Sequence, residues 1–334
     1  MIYTSFDNGS LVKVLSLLKS HNSEYLSGQD LSDVMKISRV AVWKHIKKIR
    51  SLGYKIESRQ NRGYRLVNNT NQLLPWEITD GLNTKLVGKR VYYFDTIDST
   101  QNFAIKIASN SIENGAVVIS QKQTRGRGRF GRKWLSPQGG IWLSIVLHPT
   151  FDISVTTLFP IAASLALANA IKKTFQIDSK LKWPNDVTIK GKKVAGMLVD
   201  ASVESNKIQY LVLGVGINFK VNSKQLEKSL KKTVNFYGII SLIDKNENQS
   251  PILFVQNFLN ELENIIELLN QEKRKIIIKD WTKKSSSIGK NIIISTHSGK
   301  INGNAIKLDD DGALVIKNNK NTQRILAGDV IHPT

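Results

Sequence analysis

Between residues 125 and 133 the chain places five cations in nine positions: Arg125, Arg127, Arg129, Arg132 and Lys133. Gly126, Gly128 and Gly131 separate them, and Trp134 closes the run. Such a segment has too little apolar area to fold by itself and is expected to be disordered alone. Its arginines need anions. A cationic loop beside a rigid apolar strand, here residues 116–120, suits closure over a phosphate-bearing ligand. Lys182-Trp183-Pro184-Asn185-Asp186 follows 48 residues after Trp134. There the proline fixes a turn. A lysine ending a short apolar strand before such a turn is presented into a cleft, while Asn185 and Asp186 are expected to set the turn rather than do chemistry.

Other segments are weighed against plainer structural roles. Gly126-x-Gly128-x-x-Gly131 matches the dinucleotide-binding pattern in form only, because that pattern opens a helix and here Lys133–Pro137 follows. Asp98-Ser99-Thr100-Gln101-Asn102 starts a helix for which Ser99 is a fitting cap. Its adjacent hydroxyl and amide groups, joined by Gln123, also suit a polar pocket for a neutral ligand. Gly214-Val215-Gly216-Ile217-Asn218 and Gly196 read either as bulged core strands or as backbone over which a ligand lies closely. His21, His45, His148, His297 and His332 never reach metal-ligand spacing, so no metal ligands are named. No Ser/His/Asp arrangement can be assembled. The absence of cysteine removes a thiol nucleophile, disulfides and Cys-type zinc sites. What is left is catalysis by electrostatics and positioning.

The elements needed to hold these residues fall into three parts. Residues 1–66 read as helix, helix, helix, hairpin. Leu11, Val14, Leu15 and Leu18 recur at helical spacing. Ser27 caps a second helix that starts at Gly28, and Ser38 a third that starts at Arg39. The third has Val42, Ile46 and Ile49 on one face, carries Lys44, Lys47, Lys48 and Arg50, and stops at Gly53. A hairpin with the basic tip Ser58–Arg62 follows. This is the pattern of a winged helix-turn-helix, whose third helix enters the major groove and whose wing touches backbone. Ser38 and Arg39 are placed to reach base edges, the lysines and Arg62 to reach phosphates. Residues 67–86 are expected to be a linker. Residues 87–284 alternate strands and helices in a mixed α/β domain. Four short strands in residues 285–334 read as a small SH3-like β-barrel.

The bulk numbers agree with a multidomain α/β protein. The chain has 334 residues, with 41% hydrophobic and 22% charged residues, ordinary values for a globular protein. Its net charge is +21. Residues 1–66 hold 12 Lys/Arg against 5 Asp/Glu, the densest positive charge along the chain, which favours a polyanion partner there. The first ten residues lack the basic start and apolar core of a signal peptide. Two uncharged windows, Trp134–Phe151 and Ile153–Ile171, read as loop plus buried strand and as a core helix, not as membrane spans. A cytoplasmic location is expected.

The arginine-glycine loop, Lys182–Asp186, Lys193-Val194-Ala195-Gly196 and Gly214–Asn218 resemble, in order and spacing, the biotin–protein ligases. With a basic helix-turn-helix in front and a small barrel behind, the chain is similar to their bifunctional form, the biotin operon repressors, over about residues 10–331. The resemblance implies a central α+β domain of the biotin/lipoate ligase type, related to class II synthetases. It implies a two-step reaction: biotin and ATP, with Mg²⁺, give biotinyl-5′-adenylate, and the acyl group then passes to a lysine of a biotin carboxyl carrier protein. Carried over by motif, Ser99, Thr100, Gln101 and Gln123 hold biotin, with Arg127, Gly128, Arg129, Lys182 and Gly196 around it. Lys182 and Arg129 act on the reacting groups, and Arg132, Trp134 and Asn218 serve the nucleotide. Gly28–Lys47 is the helix-turn-helix. A homodimer on operator DNA, repressing biotin synthesis genes in response to the adenylate, is also implied. Two other readings remain: a ligand-sensing transcription factor without ligase activity, and a lipoate or octanoate ligase.

Overall fold

The computed structural model describes residues 2–4, 9–21, 24–110, 113–230, 237–244, 249–296, 299–318 and 321–331. His297, His332, part of the first ten residues and parts of two barrel turns lie outside the described residues.

The chain begins with β1 (Ile2–Thr4) and continues through α1 (Ser10–Ser20), α2 (Gly28–Met35) and α3 (Arg39–Ser51) to the wing, β2 (Lys55–Arg59) and β3 (Gly63–Asn68). The helix starts follow local chemistry. Ser27 Oγ accepts from Asp30 N at 3.0 Å and Asp30 Oδ2 from Ser27 N at 3.3 Å, a reciprocal cap. Ser38 Oγ accepts from Ala41 N at 3.2 Å. Gly53, at φ +87°, takes the left-handed turn that ends α3. Val14, Leu15, Leu18, Leu31, Val42, Ile46 and Ile49 are buried, so the apolar stripes read from the sequence face inward, in a core that continues through Leu73, Leu74 and Ile78 into the central domain.

Two features near the N-terminus depart from the sequence reading. Residues 2–4, assigned there to the helix-turn-helix domain, pair antiparallel with β4 (Val91–Phe94) at the edge of the central sheet. An edge strand offers open backbone groups that any extended segment can use. The stretch 67–86 carries α4 (Pro75–Thr79), and Leu73, Leu74 and Ile78 are buried. Glu77 of α4 is itself buried and takes Lys19 Nζ at 2.6 Å and the Tyr54 hydroxyl, both from the N-terminal domain.

The central sheet has the order β1-β4-β5-β6-β10-β9-β8-β7, in which only the β4–β5 pair is parallel. Its further elements are α5 (Thr100–Asn110), β5 (Val117–Ser120), β6 (Ile141–Leu147), α6 (Val155–Phe175), β7 (Lys180–Lys182), β8 (Asp186–Ile189), β9 (Lys192–Glu204) and β10 (Lys207–Ile217). Then come α7 (Ser223–Leu230), α8 (Pro251–Asn270) and α9 (Arg274–Lys284). α5 covers one face of the sheet, against β5, β6 and β10. α6 lies between the sheet and the pair α8 and α9. By length and composition α6 could cross a membrane; here it is a core helix, with Leu158, Phe159, Leu165, Leu167 and Ile171 all buried. The barrel comprises β11 (Asn291–Thr296), β12 (Gly299–Leu308), β13 (Leu314–Lys317), β14 (Thr322–Ile325) and β15 (Asp329–Ile331), in the order β14-β13-β12-β11-β15. β15 had no counterpart in the sequence reading, because its three residues are too few to show alternation.

Candidate active site and DNA-reading face

A cavity of about 470 Å³ opens where the arginine-glycine loop, the start of α5, the ends of β7–β10 and β15 converge. Ser99, Thr100, Gln101, Gln123, Arg127, Gly128, Arg129, Arg132, Trp134, Lys182, Gly196 and Asn218 all line it. The residues singled out from five separate stretches of sequence therefore line one cavity.

Its polar end is a closed network. Thr100 N and Oγ1 donate to Gln123 Oε1 at 2.8 and 3.1 Å, and Gln123 Nε2 donates to Ser136 Oγ at 2.8 Å. Gln101 Nε2 donates to Asp200 Oδ2 and to the Val212 carbonyl, each at 3.0 Å. Ser144 Oγ lies 2.9 Å from both Thr100 Oγ1 and Gln101 Oε1. Ser99 Oγ accepts from Asn102 N at 3.4 Å, so its capping role and its place on the cavity wall coexist. Ser144 was missed in the sequence, although a lone hydroxyl within the otherwise apolar run Ile141–Leu147 is a readable signal. Gly214 and Gly216 prove to be close-approach positions: a side chain on Gly214 would strike the Gln101 amide, and one on Gly216 the Trp134 indole. Trp134 Nε1 is buried without a hydrogen-bond partner among the described residues.

The cationic loop, expected to be disordered, is folded down. Gly128 N donates to the Arg132 carbonyl at 2.7 Å and Trp134 N to the Gly126 carbonyl at 2.9 Å. Anions the sequence did not associate with it hold its arginines. Arg127 Nη1 lies 3.3 Å from Asp200 Oδ2 and donates to Asn102 Oδ1 at 3.2 Å. Arg132 Nη1 lies 2.9 Å from Asp329 Oδ2 in the barrel. Arg129 Nη1 reaches Asn185 Oδ1 at 3.2 Å, the Gly328 carbonyl at 3.3 Å and Asp329 Oδ1 at 3.7 Å. One guanidinium thus ties the loop to the Lys182–Asp186 turn and to the barrel.

Lys182 is only 6% exposed. Burial pulls its pKa from the ordinary 10.5 down to about 8, against the opposing pull of Asp186. It therefore remains mostly an ammonium near pH 7. The turn beyond it, whose Trp183–Pro184 peptide is cis, does more than change direction. Asn185 Nδ2 donates to the Met197 carbonyl at 2.6 Å. Asp186 takes Lys193 Nζ at 2.6 Å on Oδ1 and the Tyr237 hydroxyl at 2.6 Å on Oδ2. Both residues also line the cavity, where Asn185 holds Arg129 and Asp186 holds Lys193, contacts beyond the turn itself.

The helix-turn-helix lies apart from this cavity. Ser38, Arg39, Lys44 and Lys47 are exposed on α3, and Arg62 is exposed at the wing tip. Gly28 is half-buried at the start of α2, beside the Tyr64 ring. Two apolar residues overlooked in the sequence share the exposed face: Val40 is 63% and Trp43 51% exposed, with Lys47 Nζ 5.4 Å from the Trp43 ring centre. Arg59, Arg62 and Arg65 gather over the Tyr25 ring at 5.2, 5.6 and 4.8 Å.

Known proteins have the same architecture. Residues 93–218 match the Biotin/lipoate A/B protein ligase family, 11–65 an HTH domain and 287–332 the Biotin protein ligase C terminal domain. The chain is 32% identical over 325 residues to the Bifunctional ligase/repressor BirA of Bacillus spizizenii, covering 95% of this chain and 97% of that protein. It is 28% identical over 312 residues to the Bifunctional ligase/repressor BirA of Escherichia coli, covering 93% of each. Among solved structures it is similar to a biotin protein ligase from Aquifex aeolicus in complex with biotin and ATP, with a TM-score of 0.58 and 25% identity, over 72% of this chain and 97% of that one. With a winged helix-turn-helix, a ligase domain and a C-terminal barrel in matching order, the chain belongs to the bifunctional biotin protein ligase/repressor family.

Proposed function

We propose that this protein makes biotinyl-5′-adenylate from biotin and ATP, passes biotin to a lysine of a biotin carboxyl carrier protein, and represses biotin synthesis genes when the adenylate is bound. The observation that carries this reading is the single cavity with a neutral polar end at Ser99–Gln101 and Gln123 and a cationic end at Lys182 and Arg129. Each end suits one end of biotin: hydroxyls and amides for the ureido ring, cations for the carboxylate.

In the first step a biotin carboxylate oxygen bonds to the α-phosphorus of ATP while the bond to the leaving pyrophosphate breaks. Two unit negative charges at 4 Å repel by ~1 kcal/mol in water and ~4 kcal/mol at an effective dielectric near 20. Lys182 and Arg129 oppose that repulsion from fixed positions. Arg132, Trp134 and Asn218 would bound the nucleotide. In the second step the carrier's lysine amine attacks the acyl carbon, AMP leaves and the amine loses a proton. The folded loop excludes water from the mixed anhydride until then. Mg²⁺ would neutralise the phosphates. The described residues hold no cluster of three metal-ligating side chains, which fits an ion carried on the nucleotide, as Mg²⁺ commonly is. Asp186 and Asp329 are the carboxylates in the wall, both engaged by cations.

Ser38, Arg39, Lys44, Lys47 and Arg62 would contact operator DNA. One winged helix reads one half-site, so a homodimer on a two-fold operator is part of the proposal. Biotin, ATP and a carrier all belong to the cytoplasm, where we place the protein. The test is incubation with ATP, labelled biotin and a carrier domain. Label on the carrier lysine is expected. Failure to label it while the adenylate still forms would favour a sensor, and preference for lipoate would favour a lipoate ligase.

A further inference from the structure

Lys182 Nζ makes no hydrogen bond or ion pair to any described residue. Instead it rests on an aromatic face, 3.4 Å from the ring centre of Tyr237. Tyr237 stands on the cavity wall between α7 and α8, far from Lys182 in sequence. It is not free to turn: its hydroxyl donates to Asp186 Oδ2 at 2.6 Å, and Asp186 Oδ1 is held by Lys193 Nζ at 2.6 Å. The charged groups acting on the ammonium are Asp186 from the turn, Lys193 from β9 and Asp329 from β15, with Arg129 of the loop on the same cavity wall, bonded to Asn185. A ring's negative face attracts a cation most strongly where water is excluded.

We propose that Tyr237 is a positioning residue that keeps the Lys182 ammonium charged and aimed along one wall of the cavity, with the Asp186–Lys193 pair holding the ring in place. The inference rests on the role given to Lys182 under the proposed function. A lysine with four rotatable bonds would otherwise fold back toward Asp186, and a buried amine without a cation-stabilising neighbour tends to lose its proton. The ring supplies stabilisation from one side only, so the N–H donors turned away from it stay available for a carboxylate and a phosphate.

The competing explanation is that Tyr237 serves only as an apolar cover. Two substitutions separate the two. Tyr237→Phe keeps the ring, and Tyr237→Leu keeps the cover without it; Tyr237→Met serves where the leucine variant fails to fold. The Lys182 side chain is titrated by ¹³C NMR at Cε in the ligand-free protein, its signal assigned by its loss in Lys182→Arg. Removing the ring is expected to lower the Lys182 pKa by roughly half to one pH unit relative to Tyr237→Phe. The alkaline limb of biotin-dependent pyrophosphate release should move with it, with the effect in kcat rather than in the KM for biotin. Equal pKa values in the phenylalanine and leucine variants would overturn the proposal. This titration needs no turnover, so it stands or falls separately from the role of Lys182 in the reaction, which Lys182→Ala tests.

Discussion

An ammonium at 6% exposure is costly, and Lys182 shows the cost as a pKa drawn down to about 8. Below that pH both the folded and the unfolded chain hold the proton, and the folded state bears the full desolvation penalty. Between about 8 and 10.5 the folded chain releases the proton while the unfolded chain keeps it, so this residue makes stability rise with pH over that window. Lys182→Met should therefore stabilise the protein near pH 7 by about 1–3 kcal/mol, and the gap to the parent should close toward pH 10. Urea unfolding at the two pH values checks this; a gap that stays constant or widens contradicts it. Lys182 was legible in the sequence because a Pro-fixed turn beside a short strand is a local pattern. Asp200, Asp329 and Tyr237 were not, because each meets its partner only through tertiary folding: Asp329 joins Arg132 across 197 residues. Ser144 lay between these cases, a polar residue inside an apolar strand whose partners at Thr100 and Gln101 the sequence could not name.

At the scale of elements, two short segments carry separable roles. The arginine-glycine loop is held down by Arg129 through Asn185, Gly328 and Asp329. Replacing Arg129 by glycine removes these ties together and should leave biotin binding but speed escape of the adenylate by roughly tenfold or more, the loss of a charged hydrogen bond. Trapping labelled adenylate on the protein and following its release measures this; an unchanged rate contradicts it. Composition made the loop look disordered because its anchors lie elsewhere in the chain. On α3, the exposed Val40 and Trp43 are suited to the thymine methyl groups of the major groove, while Lys44 and Lys47 suit phosphates. Trp43→Ala should weaken binding to the chosen operator by roughly 1–3 kcal/mol and leave non-specific binding nearly unchanged at the same salt. Lys47→Ala should weaken both and reduce the salt slope by about one. Equal losses on specific and random duplexes for Trp43→Ala would contradict the division. The helix spacing of this domain was fully legible because its caps and apolar stripes are local; Trp43 was passed over because a sequence alone does not reveal which aromatic stays outside.

Across the whole molecule, the DNA-reading domain is fastened to the ligase domain through α4. Glu77 joins Lys19 and Tyr54, while Gln256 Nε2 of α8 lies 3.1, 3.1 and 2.6 Å from the carbonyl oxygens of Glu77, Ile78 and Asp80, which share its two N–H donors. From the sequence this stretch reads as a plain linker, since asparagines at one end hide the buried Leu73, Leu74 and Ile78 that follow. Coupling between adenylate and operator requires that the two domains share such a contact or a dimer surface. Glu77→Gln should therefore leave adenylate formation intact, lower stability by about 1–3 kcal/mol by weakening the buried contacts to Lys19 and Tyr54, with Asp80 left as the other carboxylate at Lys19, and reduce the gain in operator affinity that the adenylate brings. Operator titrations with and without adenylate check this; an undiminished gain contradicts it. In the proposed reaction everything serves one step, the meeting of a carboxylate and a nucleotide phosphate among the cations lining the cavity. Its most direct test is biotin-dependent pyrophosphate release by the purified protein with ATP, beside a folded Lys182→Ala variant. Release by the parent, reduced by roughly tenfold or more in the variant, is the expected result; no biotin-dependent release by the parent, or equal rates in the two, would contradict the account.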